Sequence, residues 1–231
     1  MKRSYYVILL ILNFCVFSCI FQKHKVSWNK RSIPCFKKIV IIGFRPVSPI
    51  FTGSSYVRCP ISGDTFRGSM VPEEVTEYMT SLLIKKLAAK NTFTIISYDQ
   101  VKKEFLDLKD SIDNAQGKLL VEYLNQIGKA FKADAVILGH IFRWEQRIGT
   151  DFASSRPASV AFDLHIVDTA HGQVVWEAEF DKTQRSLSEN LLDIKTFIKG
   201  KGKWMTAEQL ADMGLSNMIK NIIKSQKSCS K

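Results

Sequence analysis

The strongest constraint on the fold is a pair of alternating segments in the second half of the chain. In SVAFDLHIVD (159–168) and QVVWEAEFD (173–181), apolar and polar residues alternate, which is the period of a strand with one buried face. A short connection ending in Gly172, which can adopt the positive φ of a tight turn, separates them. We therefore predict an antiparallel hairpin with a solvated face that includes Asp163 and His165. The residues predicted to face the core are Val160, Phe162, Leu164, Ile166, Val174, Trp176, Ala178 and Phe180.

The other periodic segments alternate between strands and helices. Strands are predicted at 39–44, 92–98 and 135–142, and the last is apolar on both faces, as in a central strand covered on both sides. Helices are predicted from Pro72, over 99–106 and 116–131, from Ser186 towards Ile198, and from Thr206 onwards. The sequence therefore predicts an α/β (α+β) fold, with a mixed sheet of about five strands and a C-terminal antiparallel hairpin, flanked by helices.

The first residues have the layout of a secretory signal. Lys2 and Arg3 provide a positive start, residues 5–17 form an almost wholly apolar run, and the small Ser18 precedes Cys19. An uncleaved membrane anchor is the alternative, because the 17 residues from Tyr5 to Phe21 are at the short end of what crosses a hydrocarbon core of about 30 Å. In either case we predict that the rest of the chain is exported.

The residues VFSC at 16–19 resemble the lipobox of bacterial lipoproteins. This resemblance implies cleavage before Cys19 and acylation of that residue, which makes 1–18 a signal peptide and 19–36 a linker. Ile20, rather than an aspartate, follows the acylated cysteine. By the sorting pattern of many Gram-negative lipoproteins, this implies an anchor in outer-membrane lipid, with the protein on the periplasmic face.

The charge of the chain indicates which surfaces it meets. The net charge is +11 at pH 7, and an exported basic chain meets anionic lipid headgroups and cell-wall polymers first. The basic residues are spread out, with one group from Lys23 to Lys38 near the tether and another from Lys199 to Lys203. We interpret the first group as a membrane-proximal linker and predict no nucleic-acid partner.

The cysteines are compatible with export. Cys35 and Cys59 flank one predicted strand and its loop, which makes a disulfide between them plausible in an oxidising periplasm. Two free, buried thiols are the alternative. Cys229 is expected to be unpaired in the C-terminal tail.

The sequence contains no recognisable catalytic motif. It lacks a G-x-S-x-G elbow, an H-E-x-x-H pair and a phosphate-binding P-loop. We therefore predict a protein without enzymatic activity, cofactor or bound metal. His140 and His165 lie on predicted strands, and Asp163 shares a face with His165, so the alternative is a ligand-binding, metal-binding or hydrolytic site in this region.

The long segment 45–69 is the preferred partner site. It has no periodic pattern, and a loop of that length inside a compact domain is typically functional or mobile. Tyr, Trp and Arg supply much of the binding energy of interfaces when they are desolvated. The candidate contacts here and elsewhere are Tyr56, Arg58, Phe66, Arg67, Trp144 and Trp204. A connector without a partner is the alternative.

Three stretches carry a family resemblance: KKIVIIGF (37–44), KADAVILGHI (132–141) and the hairpin with its DTAHG turn (159–180). They resemble the pattern of the curli secretion lipoprotein CsgG, the penicillin-binding-protein activator lipoproteins and the N-terminal domain of the Tol-system propeller protein. The resemblance implies a periplasmic α/β domain over 37–200, followed by a C-terminal helix and tail at 201–231. It also implies an envelope protein or the peptidoglycan-synthesis machinery as partner.

The sequence departs from the curli channels in one respect. Those channels insert a membrane-spanning hairpin between the central strand and the C-terminal hairpin. Here that interval, 143–157, is mostly polar and too short for two spanning strands of about 9–11 residues each. We therefore predict a lipid-tethered domain rather than a pore, and the sequence leaves its oligomeric state open.

Overall fold

The computed structural model describes residues 33–49, 56–105, 108–151, 154–184 and 203–227. The strands in these residues are β1 (Lys38–Pro46), β2 (Tyr56–Arg58), β3 (Thr65–Arg67), β4 (Thr94–Ile96), β5 (Ala135–Glu145), β6 (Ile148–Gly149), β7 (Ser154–Arg156), β8 (Ser159–Asp168) and β9 (Gln173–Thr183). The helices are α1 (Glu73–Ala88), α2 (Tyr98–Glu104), α3 (Leu108–Asn114), α4 (Gly117–Ala130) and α5 (Ala207–Lys227).

A five-stranded mixed sheet organises the described part of the chain. Its strand order is β4-β1-β5-β8-β9. β1 pairs in parallel with β4 and β5, whereas β8 pairs antiparallel with both β5 and β9. The central strand β5 is buried along all but its last residue, as expected for a strand covered on both faces. The predicted mixed sheet with its C-terminal antiparallel hairpin is confirmed.

Helices α1 and α5 cover one face of the sheet. Their apolar stripes share one core with the side chains that β1, β5 and β8 direct to this face. Helix α5 begins with the predicted capping box, in which the backbone N–H of Gln209 donates to Oγ1 of Thr206 and the N–H of Thr206 donates to Oε1 of Gln209. The stripe residues of the two helices in this core are Val75, Met79, Leu83, Leu87, Leu210, Leu215, Met218, Ile219 and Ile222.

Helix α4 and the β2–β3 hairpin cover the opposite face of the sheet. Leu124 of α4 shares a core with Leu138 of β5 at one end of this face. At the other end lies the β2–β3 hairpin, whose Val57 and Phe66 pack with Phe142 of β5, the two phenyl rings stacking with centroids 4.0 Å apart. The segment 45–69, expected to be an aperiodic loop, therefore contains an antiparallel hairpin. Its strands are too short for an alternation to be recognised in the sequence.

The β8–β9 hairpin differs from the prediction in its burial. All ten residues of β8 are buried, because the α1–α5 layer covers one side and the β2–β3 hairpin and α4 cover the other. The predicted solvated face of this strand is therefore wrong. The inward positions of Phe162 and Trp176 are confirmed. A register shift between Ile166 and Val167 turns Val174 to the α4 side instead of the α1–α5 side.

Several element boundaries differ from the sequence-based ones. β4 covers only the middle of 92–98, Pro72 is the N-cap of α1 rather than its first residue, and α3 is a separate helix that the pattern does not predict. The polar interval 143–157 contains the short antiparallel pair β6–β7. The helix predicted from Ser186 lies outside the described residues. No helix among the described ones combines the length and the apolar character needed to span a membrane.

Candidate functional site

Four polar side chains converge beneath the β2–β3 hairpin. The antiparallel register places His140 of β5 opposite Asp163 of β8, and His165 lies two residues further along the same face. Cys59, the residue after β2, contacts both histidines from above the sheet. All four side chains are buried, and their potential ligand atoms lie within 4.8 Å of one another. The hairpin and the sheet thus enclose a compact polar cluster between two apolar cores.

The shortest distances join each histidine to both Cys59 and Asp163. Sγ of Cys59 lies 3.3 Å from Nε2 of His165 and 3.8 Å from Nδ1 of His140. Oδ1 of Asp163 lies 3.0 Å from Nδ1 of His140, and its Oδ2 lies 3.0 Å from Nε2 of His165. In each ring, therefore, a single nitrogen faces both the sulfur and the carboxylate.

Backbone groups orient the two acidic members of the cluster. The N–H of His140 donates to Oδ1 of Asp163 at 2.9 Å. The N–H groups of Ile61 and Ser62 each donate to Sγ of Cys59 at 3.3 Å, and the turn closes with the N–H of Gly63 donating to the carbonyl oxygen of Cys59. N–H groups directed at a sulfur stabilise its thiolate form, so the turn favours a negative charge on Cys59.

The pKa values within the cluster shift in mutually consistent directions. Burial raises the pKa of Cys59, but hydrogen bonds with His140 and His165 outweigh it and lower the pKa to about 7. Burial also opposes ionisation of Asp163, yet the charges of His165 and His140 hold its pKa well below the usual range. Burial lowers the pKa of each histidine, whereas the negative charge of Asp163 raises it above the ordinary value. The arrangement therefore favours a thiolate and a carboxylate beside positive charge.

A row of acidic residues on β9 adjoins the cluster. Glu177 lies opposite His165 in the register, and Glu179 lies opposite Asp163. Oε2 of Glu177 is 3.9 Å from Nδ1 of His165, the ring nitrogen that faces away from Cys59. Burial and a hydrogen bond with Asp64 raise the pKa of Glu179 to about 7. The cluster is thus flanked by carboxyl groups on the β9 side.

Arg143 links the open end of the β2–β3 hairpin to the sheet. Its buried guanidinium donates from Nε to Oγ of Ser159 at 2.7 Å and from an Nη atom to the carbonyl oxygen of Arg67 at 2.9 Å, and it forms an ion pair with Asp181. Charge-assisted bonds of this kind are stronger than neutral ones. The hairpin is therefore held to the sheet near Cys59 at one end and at Arg67 at the other.

The structure separates the predicted partner residues into two groups. Tyr56 is 66% exposed, and Arg58 and Arg67 are also exposed, all on the outer face of the hairpin. Phe66 and Trp144 are buried, at 3% and 8% exposure, so their prediction as surface contacts is wrong. They point inward because each belongs to the apolar side of its strand. Trp204 is half-buried, and its carbonyl oxygen accepts a bond from Arg147.

Cys59 has a different environment from the one predicted. Its thiol is free and buried against the histidines, so the predicted Cys35–Cys59 disulfide is not formed. Cys35 is disulfide-bonded, but Cys59 is not its partner. The sequence analysis grouped His140, Asp163 and His165 but missed Cys59. A usable signal was present in the CPISG turn (59–63), where proline and glycine permit a tight turn around the sulfur.

Comparisons with known proteins give only distant similarities. No protein-family model matches the chain, and no curated protein sequence matches it. A lipoprotein from Neisseria meningitidis is 12% identical, with 70% of this chain and 90% of that chain covered and a TM-score of 0.41. The C-terminal domain of LpoB from Salmonella enterica is 13% identical, with 66% and 86% covered and a TM-score of 0.39.

A third similar structure is the PelC dodecamer from Paraburkholderia phytofirmans. It is 15% identical, with 68% of this chain and 82% of that chain covered and a TM-score of 0.36. At these values the similarities assign neither a family nor a function to the chain. The resemblance to CsgG and to the Tol-system propeller protein stays a prediction from the sequence.

Proposed function

We propose that the chain is a lipid-anchored, non-enzymatic protein on the periplasmic face of the outer membrane that binds an envelope partner. The partner is an envelope protein or a component of the peptidoglycan-synthesis machinery, and the process is assembly, export or regulation of cell-wall synthases. The observation that carries this proposal is the outer face of the β2–β3 hairpin, where Tyr56, Arg58 and Arg67 are exposed on a rigidly held element.

The outer face of the hairpin has the composition of a binding surface. Tyr56 and Arg67 lie directly opposite each other in the register, and Arg58 lies opposite Thr65. Met70, just beyond β3, is 76% exposed. Aromatic residues, Met and Arg are enriched at protein interfaces, and two guanidinium groups beside an aromatic ring suit an acidic protein surface. We therefore place the contact with the partner on this face.

The rigidity of the hairpin favours binding. Its inner residues Val57 and Phe66 pack into the core with Phe142, and Arg143 holds the carbonyl oxygen of Arg67. A surface that is already ordered loses little conformational entropy when a partner binds. The exposed side chains can therefore contribute most of their interaction energy to affinity.

The absence of enzymatic activity is supported by the burial of the polar cluster. Cys59, His140, Asp163 and His165 are all buried. A substrate would have to displace the β2–β3 hairpin from the sheet to reach them. Burial of all four side chains of the cluster is typical of a structural site rather than of a catalytic one, which keeps an open position.

Site-specific photocrosslinking tests the proposed surface. A photoreactive amino acid at Tyr56 is expected to capture a discrete protein in intact envelopes, because that side chain lies at the centre of the proposed contact. The matched control is the same amino acid at Leu119, an equally exposed apolar position on α4. Identical adducts from both positions, or adducts only with abundant outer-membrane porins, would contradict a specific contact at the hairpin.

Replacement of Cys19 tests the anchor. The Cys19→Ser chain is expected to lose incorporation of labelled palmitate and to leave the membrane fraction, since the lipobox resemblance assigns acylation to this sulfur. Cys229→Ser is the matched control and should keep both palmitate incorporation and membrane association. Retention of Cys19→Ser in the membrane fraction would instead favour an uncleaved N-terminal anchor.

A further inference from the structure

We infer that Cys59, His140, Asp163 and His165 bind one zinc ion in a closed, four-ligand structural site. The ion would join the turn of the β2–β3 hairpin to the centre of the sheet. This inference departs from the sequence-based expectation of a protein without metal, and it is independent of the proposed partner. It depends on the placement of four side chains from three elements that are far apart in the sequence.

The distances between the ligand atoms match a tetrahedral zinc site. With zinc–sulfur bonds of about 2.3 Å and zinc–nitrogen and zinc–oxygen bonds of about 2.0 Å, tetrahedral angles place sulfur about 3.5 Å from nitrogen and nitrogen about 3.3 Å from oxygen. The sulfur–nitrogen distances here are 3.3 and 3.8 Å, and the two ring nitrogens each lie 3.0 Å from a different oxygen of Asp163. One potential ligand atom from each of the four residues lies within 4.8 Å of the others, which is compact enough for a single zinc ion.

The short distance between the carboxylate of Asp163 and the ring of His165 is not explained by a hydrogen bond. Oδ2 of Asp163 is buried without a hydrogen-bond partner, although it lies 3.0 Å from Nε2 of His165. Two ligand atoms that are close but poorly aligned for a mutual hydrogen bond are expected where both point to a common third atom. A buried polar oxygen without a partner is otherwise costly, and coordination of a cation would satisfy it.

The turn around Cys59 prepares its sulfur as a ligand. Two backbone N–H groups, from Ile61 and Ser62, point at Sγ at 3.3 Å. They stabilise a thiolate, which is the form that coordinates zinc. Such pre-orientation of the ligand has no evident purpose for a cysteine that only fills space in the core.

The surroundings of the ligands also fit a metal site. Histidines that bind metal usually direct their other ring nitrogen to a carboxylate or a carbonyl oxygen. Nδ1 of His165 is buried without a hydrogen-bond partner, and the carboxylate of Glu177 lies 3.9 Å from it. The N–H of His140 holds Oδ1 of Asp163 in place. Zinc on Nε2 of His165 would fix the proton on Nδ1, where it faces Glu177.

The donor set favours zinc over other metals. One sulfur, two imidazole nitrogens and one carboxylate oxygen suit tetrahedral Zn²⁺. The thiolate and the carboxylate together balance its charge, so the buried site would be neutral. A blue-copper site also has two histidines and a cysteine, but its axial ligand is weak and distant. Here the carboxylate is as close to the imidazoles as the sulfur is.

Metal analysis of the full chain tests the inference. The wild-type protein, purified in detergent and dialysed against zinc, is expected to retain one zinc per chain. His165→Gln, Cys59→Ser and Asp163→Asn should each lose it, while His171→Gln should retain it, because His171 is exposed on the β8–β9 turn. Far-UV circular dichroism shows whether each variant has kept its fold. With Co²⁺ in place of zinc, a thiolate-to-metal charge-transfer band should appear in the wild type and be absent from Cys59→Ser.

Two results would overturn the inference. One is a wild-type chain that binds no more zinc than folded His165→Gln and whose melting temperature does not change with zinc or with chelator. The other is stoichiometric copper, retained in competition with zinc, with the intense colour of a copper–thiolate site. Neither result bears on the hairpin surface, which the crosslinking experiment tests separately.

Discussion

Replacing Asp163 with alanine is expected to lower the free energy of unfolding by about 3–5 kcal/mol, the range for removing one partner of a buried charged group. The side chain is almost completely buried, and Oδ1 accepts bonds from both the backbone N–H and Nδ1 of His140. Without the carboxylate, that N–H loses its partner and His165 loses its neighbouring negative charge. The deletion leaves these buried groups unpaired in a low-dielectric environment.

Urea unfolding of the full chain in the presence of a chelator measures this effect without a contribution from zinc. Asp212→Ala is the matched control, because Asp212 of α5 forms a partly exposed ion pair with Lys86 of α1. Its removal should change the free energy of unfolding by less than about 1 kcal/mol. Equal losses in the two variants would show that Asp163 does not stabilise the centre of the sheet.

Replacing Gly139 with alanine is expected to destabilise the protein by about 3 kcal/mol, the upper end of the range for overpacking a core. A Cβ atom at this position of β5 would lie 2.5 Å from Cε1 of Phe44 and 2.9 Å from the carbonyl oxygen of Asp163. The ring of Phe44 is itself held edge-on against Phe162. The carbonyl oxygen belongs to the neighbouring strand, so relief of the contact requires β8 to move.

A variant at a second glycine, Gly117→Ala, distinguishes steric crowding in the core from backbone strain. Gly117 has a φ of +56° and nothing within 4 Å of an added Cβ, so Gly117→Ala should cost only about 1 kcal/mol through its left-handed backbone. Thermal or urea unfolding of both variants gives the comparison. A Gly139→Ala chain as stable as Gly117→Ala would mean that the core around Phe44 repacks without loss.

The sheet was largely predictable because its strands have local patterns. β5 is apolar on both faces, and β8 and β9 alternate about a glycine turn, so strand type and pairing follow from neighbouring residues. The capping box of α5 was predictable for the same reason, because Thr206 and Gln209 are only three residues apart and each accepts a hydrogen bond from the other's backbone N–H. The β2–β3 hairpin was not predictable in this way, because its strands each have only three residues. Its position depends on the packing of Phe66 on Phe142.

The burial of His165 and Asp163 shows why the candidate site was only half predicted. Alternation in β8 placed both residues on one face, which is correct, but it could not show what covers that face. The cover is the β2–β3 hairpin, and Cys59 reaches His165 across 106 residues of sequence. The exposure of these side chains was therefore decided by an element with no periodic signal of its own.

By itself, the sequence determined the elements whose residues interact with near neighbours: the alternating strands, the capped helix, and the shared face of Asp163 and His165. Only the tertiary structure decided that this face is buried, that His140 lies opposite Asp163, and that Cys59 completes the cluster instead of pairing with Cys35. The physical reason is the separation along the chain of the residues that interact. Periodicity records which face of an element is apolar, whereas strand register and the docking of a short hairpin depend on packing between segments that are distant along the chain.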